Sequence, residues 1–166
     1  MSHFLDPLLL LADAQAQQQQ PQACFQAIDQ ALAAAIGHRL FTILAYHPQA
    51  RESQRVYTNQ PTAYPVGGRK PVTDSPWMQQ VIHQGQPYIG YQRQDIIDSF
   101  YDHALIFSLG CASVLNIPVR WRGQTWATVN LLHQENWYQP SHIPLSRSVA
   151  QMLLPALLFP RMTEEG

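Results

Sequence analysis

The stretch Gly110–His133, GCASVLNIPVRWRGQTWATVNLLH, decides how the rest of the chain is read. It reads as two strands, Cys111–Arg120 and Thr125–His133, rich in Val, Leu, Ile, Thr and Trp. A polar reversal containing Arg122-Gly123 joins them, the pattern of a β-hairpin. Side chains alternate across a strand, so the loop length fixes which residues of the two strands share a face. A two-residue turn at Arg122-Gly123 would pair Leu115 with Asn130 and Ile117 with Thr128, mixing polar and apolar. A three-residue loop, Arg122-Gly123-Gln124, pairs Val119 with Ala127, Ile117 with Val129 and Leu115 with Leu131. One face is then wholly apolar, while Asn116, Pro118, Thr128 and Asn130 collect on the other. Burying one clean apolar face is the stronger constraint, so the segregated register is expected. Its polar face is the first candidate for a ligand floor.

The hairpin sequence SVLNIPVRWRGQTWATVNLLH resembles the penultimate hairpin of a GAF domain. The likeness lies in its small–apolar–Pro–apolar strand, basic glycine turn and apolar second strand, and it extends from about Pro21 to Leu158. The resemblance implies an α+β sandwich: a central, mainly antiparallel sheet with the terminal helices on one face, and short helices and loops enclosing a pocket on the other. It also implies a domain that binds small molecules in sensors and regulators.

Flanking segments fit that order. Asp6-Pro7 reads as a helix start, opening a short leader helix from Pro7 to about Ala16. That leader fades into the glutamine-rich run Gln15–Gln20, so residues 1–20 read as leader and linker and 21–160 as the domain. Pro21–Ile36 reads as a helix with Phe25, Ile28, Leu32, Ala35 and Ile36 on one side and Gly37 ending it. Arg39–His47 and Arg55–Asn59 read as a strand pair. Gln60–Thr73, with three prolines and two adjacent glycines, reads as a loop without regular structure. Ser75-Pro76 opens a helix that Gly85 stops, and Pro87–Gly90 is a short strand. Asp95 caps one further helix that runs to about Gly110. Ser141 and Pro144 open the last helix, which Pro155 kinks or ends.

Composition narrows the function. The 166 residues suffice for one domain with a real core, and a net charge of −1 gives no reason to expect nucleic acid or an anionic membrane as partner. The apolar run Pro7–Ala12 is too short to span a bilayer and lacks a signal peptide's basic flank, so a cytoplasmic location is expected. Seven histidines contain no paired-ligand spacing and neither cysteine has a Cys-x-x-Cys partner, so no metal is assigned. Phe107-Ser108-Leu109-Gly110 lacks the glycine that a hydrolase elbow needs, since Ile106 stands there. Within the family the resemblance names, free methionine-(R)-sulfoxide reductases use a cysteine well upstream of the strand proline. Cys111 lies only seven residues before Pro118, and Cys24 is on the first helix, so no catalysis is expected. The bilin-binding Pro-x-Ser-Asp motif is also missing.

The expected site has Asn116, Thr128 and Asn130 as its floor and Phe100 and Trp77 as walls. The loop carrying Arg69 and Lys70 is its lid. Two amides and a hydroxyl suit a neutral polar ligand, and only the lid could add a preference for an acid. Ligand and cofactor stay unidentified. A homodimer is expected through Leu8–Leu11 and Leu157-Leu158-Phe159. A dimerisation scaffold with a self-filled pocket and a thiol enzyme remain as alternatives.

Overall fold

The structure is a computed structural model that describes residues 2–158, with side chains from Asp6 onward. Six strands form one sheet in the order β3-β2-β1-β6-β5-β4, and every neighbouring pair is antiparallel. The strands are β1 (Leu40–His47), β2 (Glu52–Thr58), β3 (Arg69–Pro71), β4 (Tyr88–Gly90), β5 (Ser113–Trp121) and β6 (Gln124–His133). Helices α1 (Ser2–Gln15), α2 (Gln22–Ala35) and α6 (Ile143–Gln151) cover one face. The other face carries α3 (Pro76–Met78, continuing as a π-helix over Gln79–His83), α4 (Arg93–Ser99) and α5 (His103–Ser108). No helix among the described residues is long and apolar enough to cross a membrane.

The β5–β6 hairpin sets the two faces. Leu115 stands opposite Leu131, Ile117 opposite Val129 and Val119 opposite Ala127, as the segregated register requires. The means differs from the expected three-residue loop. Trp121 pairs with Gln124, so the turn has only two residues, Arg122 and Gly123, at φ 50° and 76°. Positive φ at both positions is what a tight hairpin turn needs, and glycine supplies it without steric cost. Parity is restored by a β-bulge: Arg120 pairs with Thr125 while Val119 pairs with Ala127, leaving Trp126 as the extra residue. Pro118 is tolerated because β4 pairs only Val114–Asn116, which leaves β5 an edge at the proline.

Against the apolar face, α2 buries Cys24, Phe25, Ala27, Ile28, Ala31 and Leu32, and α6 adds Val149 and Ala150. Ala35, expected in the α2 stripe, is exposed at the helix end. Gly37 ends α2 at φ 93°, with its amide bonded to the Leu32 carbonyl. Helix α6 stops at Gln151, four residues before Pro155, whose ring excludes the carbonyl one turn back. The described residues beyond it, 154–158, are helical again.

Several boundaries depart from the sequence reading. Helix α1 begins at Ser2 with Pro7 inside it, rather than being capped by Asp6. Gln20 closes it by donating its side-chain amide to the Ala14 carbonyl at 2.7 Å. Strand β2 starts at Glu52, after a tight reversal in which the Arg51 amide bonds the Pro48 carbonyl. Arg69–Pro71, placed in an irregular loop, is a short edge strand on β2, a position where proline loses no needed bond. The single helix expected from Asp95 is two helices, broken where Phe100 adopts extended backbone. Asp95 sits in the first turn of α4, accepting from the Tyr91 and Gln92 amides at 2.8 and 3.1 Å.

Leu11 of α1 is fully buried within the cluster formed by α2, α6 and the sheet, whereas Leu9 is 59% exposed. Leu11→Ala should therefore lower unfolding free energy by about 2–5 kcal/mol in urea denaturation. Leu9→Ala should change it by less than about 0.5 kcal/mol. Equal effects would show that α1 is not part of the domain's core.

Candidate functional site

Between the sheet and α3–α5 lies a cavity of about 110 Å³. Its floor comes from alternate residues of three strands: Thr42 on β1, Asn116 on β5, and Thr128 and Asn130 on β6. All four are buried. Thr42, Asn116 and Asn130 are joined by a chain of hydrogen bonds that begins on α3. The Trp77 indole donates to Asn116 Oδ1 at 3.0 Å, Asn116 Nδ2 donates to Asn130 Oδ1 at 2.7 Å, and Asn130 Nδ2 donates to Thr42 Oγ1 at 3.2 Å. A buried amide left unpaired costs about 1–3 kcal/mol, so this ladder stabilises a polar floor that would otherwise oppose folding. By the donor and acceptor inventory, one N–H of Asn116 and one lone pair on each amide oxygen stay unclaimed. The Thr128 hydroxyl is buried without any partner.

The walls are aromatic and aliphatic. The Ser75 side chain caps α3 by accepting from the Met78 amide at 3.3 Å, which seats Trp77 over the floor. The buried Thr125 hydroxyl donates to the Ile82 carbonyl at 2.7 Å and holds the π-helical turn against β6. The break between α4 and α5 turns Phe100 onto Trp77, ring centroids 5.4 Å apart and tilted by 66°. It also brings Tyr101 and Asp102 into the lining. Leu44, Val72 and Ile82 complete the apolar surface.

The expected lid is anchored rather than free. Tyr64 is buried and donates its hydroxyl to Asp102, while the Arg55 guanidinium lies 3.6 Å above the Tyr64 ring. Lys70 stands opposite Ser53 in the β2–β3 ladder and lines the cavity. Arg69, its neighbour, necessarily points to the opposite face, where it reaches Glu52 at 3.5 Å. Of the seven residues expected at the site, Asn116, Thr128, Asn130, Phe100, Trp77 and Lys70 converge, and Arg69 does not.

Arg55 and Asp102 were missed by the sequence reading, and Arg55 for a definable reason. Ile43 pairs with Tyr57 and Leu44 with Arg55, so Val56 is bulged out of β2. Without that bulge Arg55 would share the face of Tyr57, which packs among Phe25 and Phe41 under the helices. Cys111 is buried beside the cavity wall, and burial pushes its thiol up to about 11 against smaller opposing pulls from Leu40 and Arg39. Cys24 is buried in the helix-covered layer on the other side of the sheet. Both cysteines are free.

This architecture, an antiparallel sheet with terminal helices on one side and a small chamber on the other, recurs in known proteins. The GAF domain of a phosphoenolpyruvate-protein phosphotransferase from Coxiella burnetii superposes with a TM-score of 0.76 at 12% identity, covering 99% of this chain and 97% of that one. The GAF domain of a two-component sensor histidine kinase from Bacillus halodurans gives 0.72 at 11% identity, covering 87% and 98%. The chromophore-binding domain of a bacteriophytochrome from R. palustris gives 0.72 at 12% identity, covering 98% of this chain and 62% of that one. No curated protein matches the chain in sequence. The GAF domain profile matches residues 12–157, and the chain belongs to the GAF domain family.

Because the Thr128 hydroxyl is buried and unpartnered, Thr128→Val should leave stability unchanged or raise it by up to about 1 kcal/mol. Asn130→Leu, which strips Asn116 and Thr42 of partners, should lower it by about 2–4 kcal/mol. Urea denaturation of both variants checks the contrast. A destabilised Thr128→Val would mean that the hydroxyl has a partner.

Proposed function

We propose that the chain is a small-molecule-binding regulatory module without catalysis of its own, whose ligand occupies the chamber over Asn116, Thr128 and Asn130. The observation that carries this reading is the unsatisfied polar capacity of a buried floor beneath aromatic and aliphatic walls. A buried hydroxyl without a protein partner is met by water or by a ligand, and Thr128 differs from the equally unpartnered Ser146 in facing a cavity. Trp77, Phe100 and Lys70 belong to the same site, while Arg69 is left out of the reading. The absence of catalysis is supported by Cys111, a buried thiol whose raised pKa keeps it protonated, and by the sheet that stands between it and Cys24. Two buried free cysteines are also what a reducing, cytoplasmic setting permits.

A second reading is favoured by one specific observation. Trp77 already occupies one acceptor of Asn116 and narrows the chamber, as a self-filled scaffold domain would. A thermal-shift screen against small metabolites separates the two. A ligand at a hundred times its dissociation constant stabilises by about 2.7 kcal/mol. For a chain of this size that is a rise of about 5–10 °C in Tm. At least one small compound should produce such a rise, and Thr128→Val should diminish it although the free variant is no less stable. A screen with no hit would select the scaffold reading.

The module is further proposed to work as a homodimer. Leu8, Leu9 and Leu10 on α1 are 46%, 59% and 37% exposed, a run of apolar side chains on the outer helical layer. Leu11 and Leu157, expected in the same contact, are instead buried in the domain's own core, and Phe159 falls outside the described residues. Sedimentation at tens of micromolar, on the order of a weak-interface dissociation constant, should give a dimer that Leu9→Glu converts to monomer. A monomeric parent protein would refute the assembly.

A further inference from the structure

One side of the chamber carries more positive charge than the structure itself neutralises. Arg55 of β2, Lys70 of β3 and Asp102 before α5 all line it. Asp102 accepts the Tyr64 hydroxyl and lies 3.8 Å from Lys70 Nζ, too far for a hydrogen bond. Arg55 spends one N–H on the Pro65 carbonyl at 2.8 Å, stacks on Tyr64, and keeps its Nε buried without a partner. Two cations therefore line this side against one carboxylate, which faces Lys70 and accepts from Tyr64. Lys70 also sits 4.1 Å from the Tyr101 ring, which contributes attraction without neutralising its charge.

We propose that the chamber's ligand is a small monocarboxylate, with its carboxylate between Arg55 and Lys70 and a body of about three to five carbons against Trp77, Phe100 and Leu44. The inference rests on the reading that this chamber binds a small molecule. Charge decides for a single negative group. Arg55 and Lys70 exceed Asp102 by one unit, so a monoanion completes the balance and a dianion overshoots it. An amine would meet the excess of like charge. Size decides against larger ligands. An apolar cavity of about 150 Å³ takes benzene, and this one measures about 110 Å³. Burial lowers the Lys70 pKa more than Asp102 raises it, and Arg55 adds to the lowering. An ammonium held in that state gains from a new anionic neighbour.

The test pairs acids with their uncharged amides: butyrate, isovalerate, valerate and hexanoate against butyramide, isovaleramide, valeramide and hexanamide. Titration calorimetry should show at least one acid binding about tenfold or more tighter than its amide, the scale of one charge-assisted contact. Lys70→Gln should remove most of that advantage by weakening the acid while leaving the amide unchanged. Arg55→Lys, which keeps the charge and loses the planar fork, should weaken the acid less than Arg55→Gln does. Amides that bind as tightly as acids would overturn the monocarboxylate and leave the chamber reading standing. So would a Lys70→Gln variant that keeps the full preference. If none of the eight compounds binds, the monocarboxylate is overturned, and the metabolite screen decides the chamber separately.

Discussion

Everything at the site depends on a parity constraint: a strand residue belongs to one face or the other, and a single inserted residue exchanges the two. This sheet uses two such insertions. The bulge at Trp126 allows a two-residue turn to coexist with apolar pairs on the helix side, keeping Asn116, Thr128 and Asn130 away from α2 and α6. The bulge at Val56 turns Arg55 toward the chamber while Tyr57 stays under the helices. The same alternation separates Lys70 from Arg69 on β3. Fold and the chemistry of the chamber lining are thus set by the same alternation.

The floor shows what that parity demands in return. Three strands send polar side chains into a space closed by Trp77 and Phe100, and an unpaired amide there would oppose folding. The run of bonds from Trp77 through Asn116 and Asn130 to Thr42 satisfies most of the demand and ties α3 to the sheet centre. The chamber is accordingly preformed, with Trp77 held by its indole bond and Phe100 packed edge-on against it. Within the chamber lining, the Thr128 hydroxyl and Arg55 Nε stay unsatisfied, beside the excess charge of Arg55 and Lys70.

The hairpin was legible because its apolar residues segregate in only one register, and the order of elements followed from Gly and Pro punctuation. Six of the seven expected site residues line the cavity for the same reason: face follows from alternation once the register is known. The misses share a different cause. No residue pattern announces a bulge at Val56, so Arg55 read as an ordinary strand residue. The continuous apolar spacing from Ile96 to Phe107 concealed the break at Phe100, which tertiary contacts with Trp77, Tyr64 and Lys70 sustain. The prolines and glycines of Gln60–Thr73 concealed an edge strand, since an edge tolerates proline that a central strand would not.

The most direct measurement of the central claim is side-chain amide NMR on the free protein. In the free protein the Trp77 indole N–H and the Asn116 and Asn130 side-chain amides should exchange slowly with solvent. Cross-relaxation should run from the indole to Asn116 and from Asn116 to Asn130, with none to Leu32 or Val149. Fast exchange of these protons, or contacts from either asparagine to α2 or α6, would contradict it.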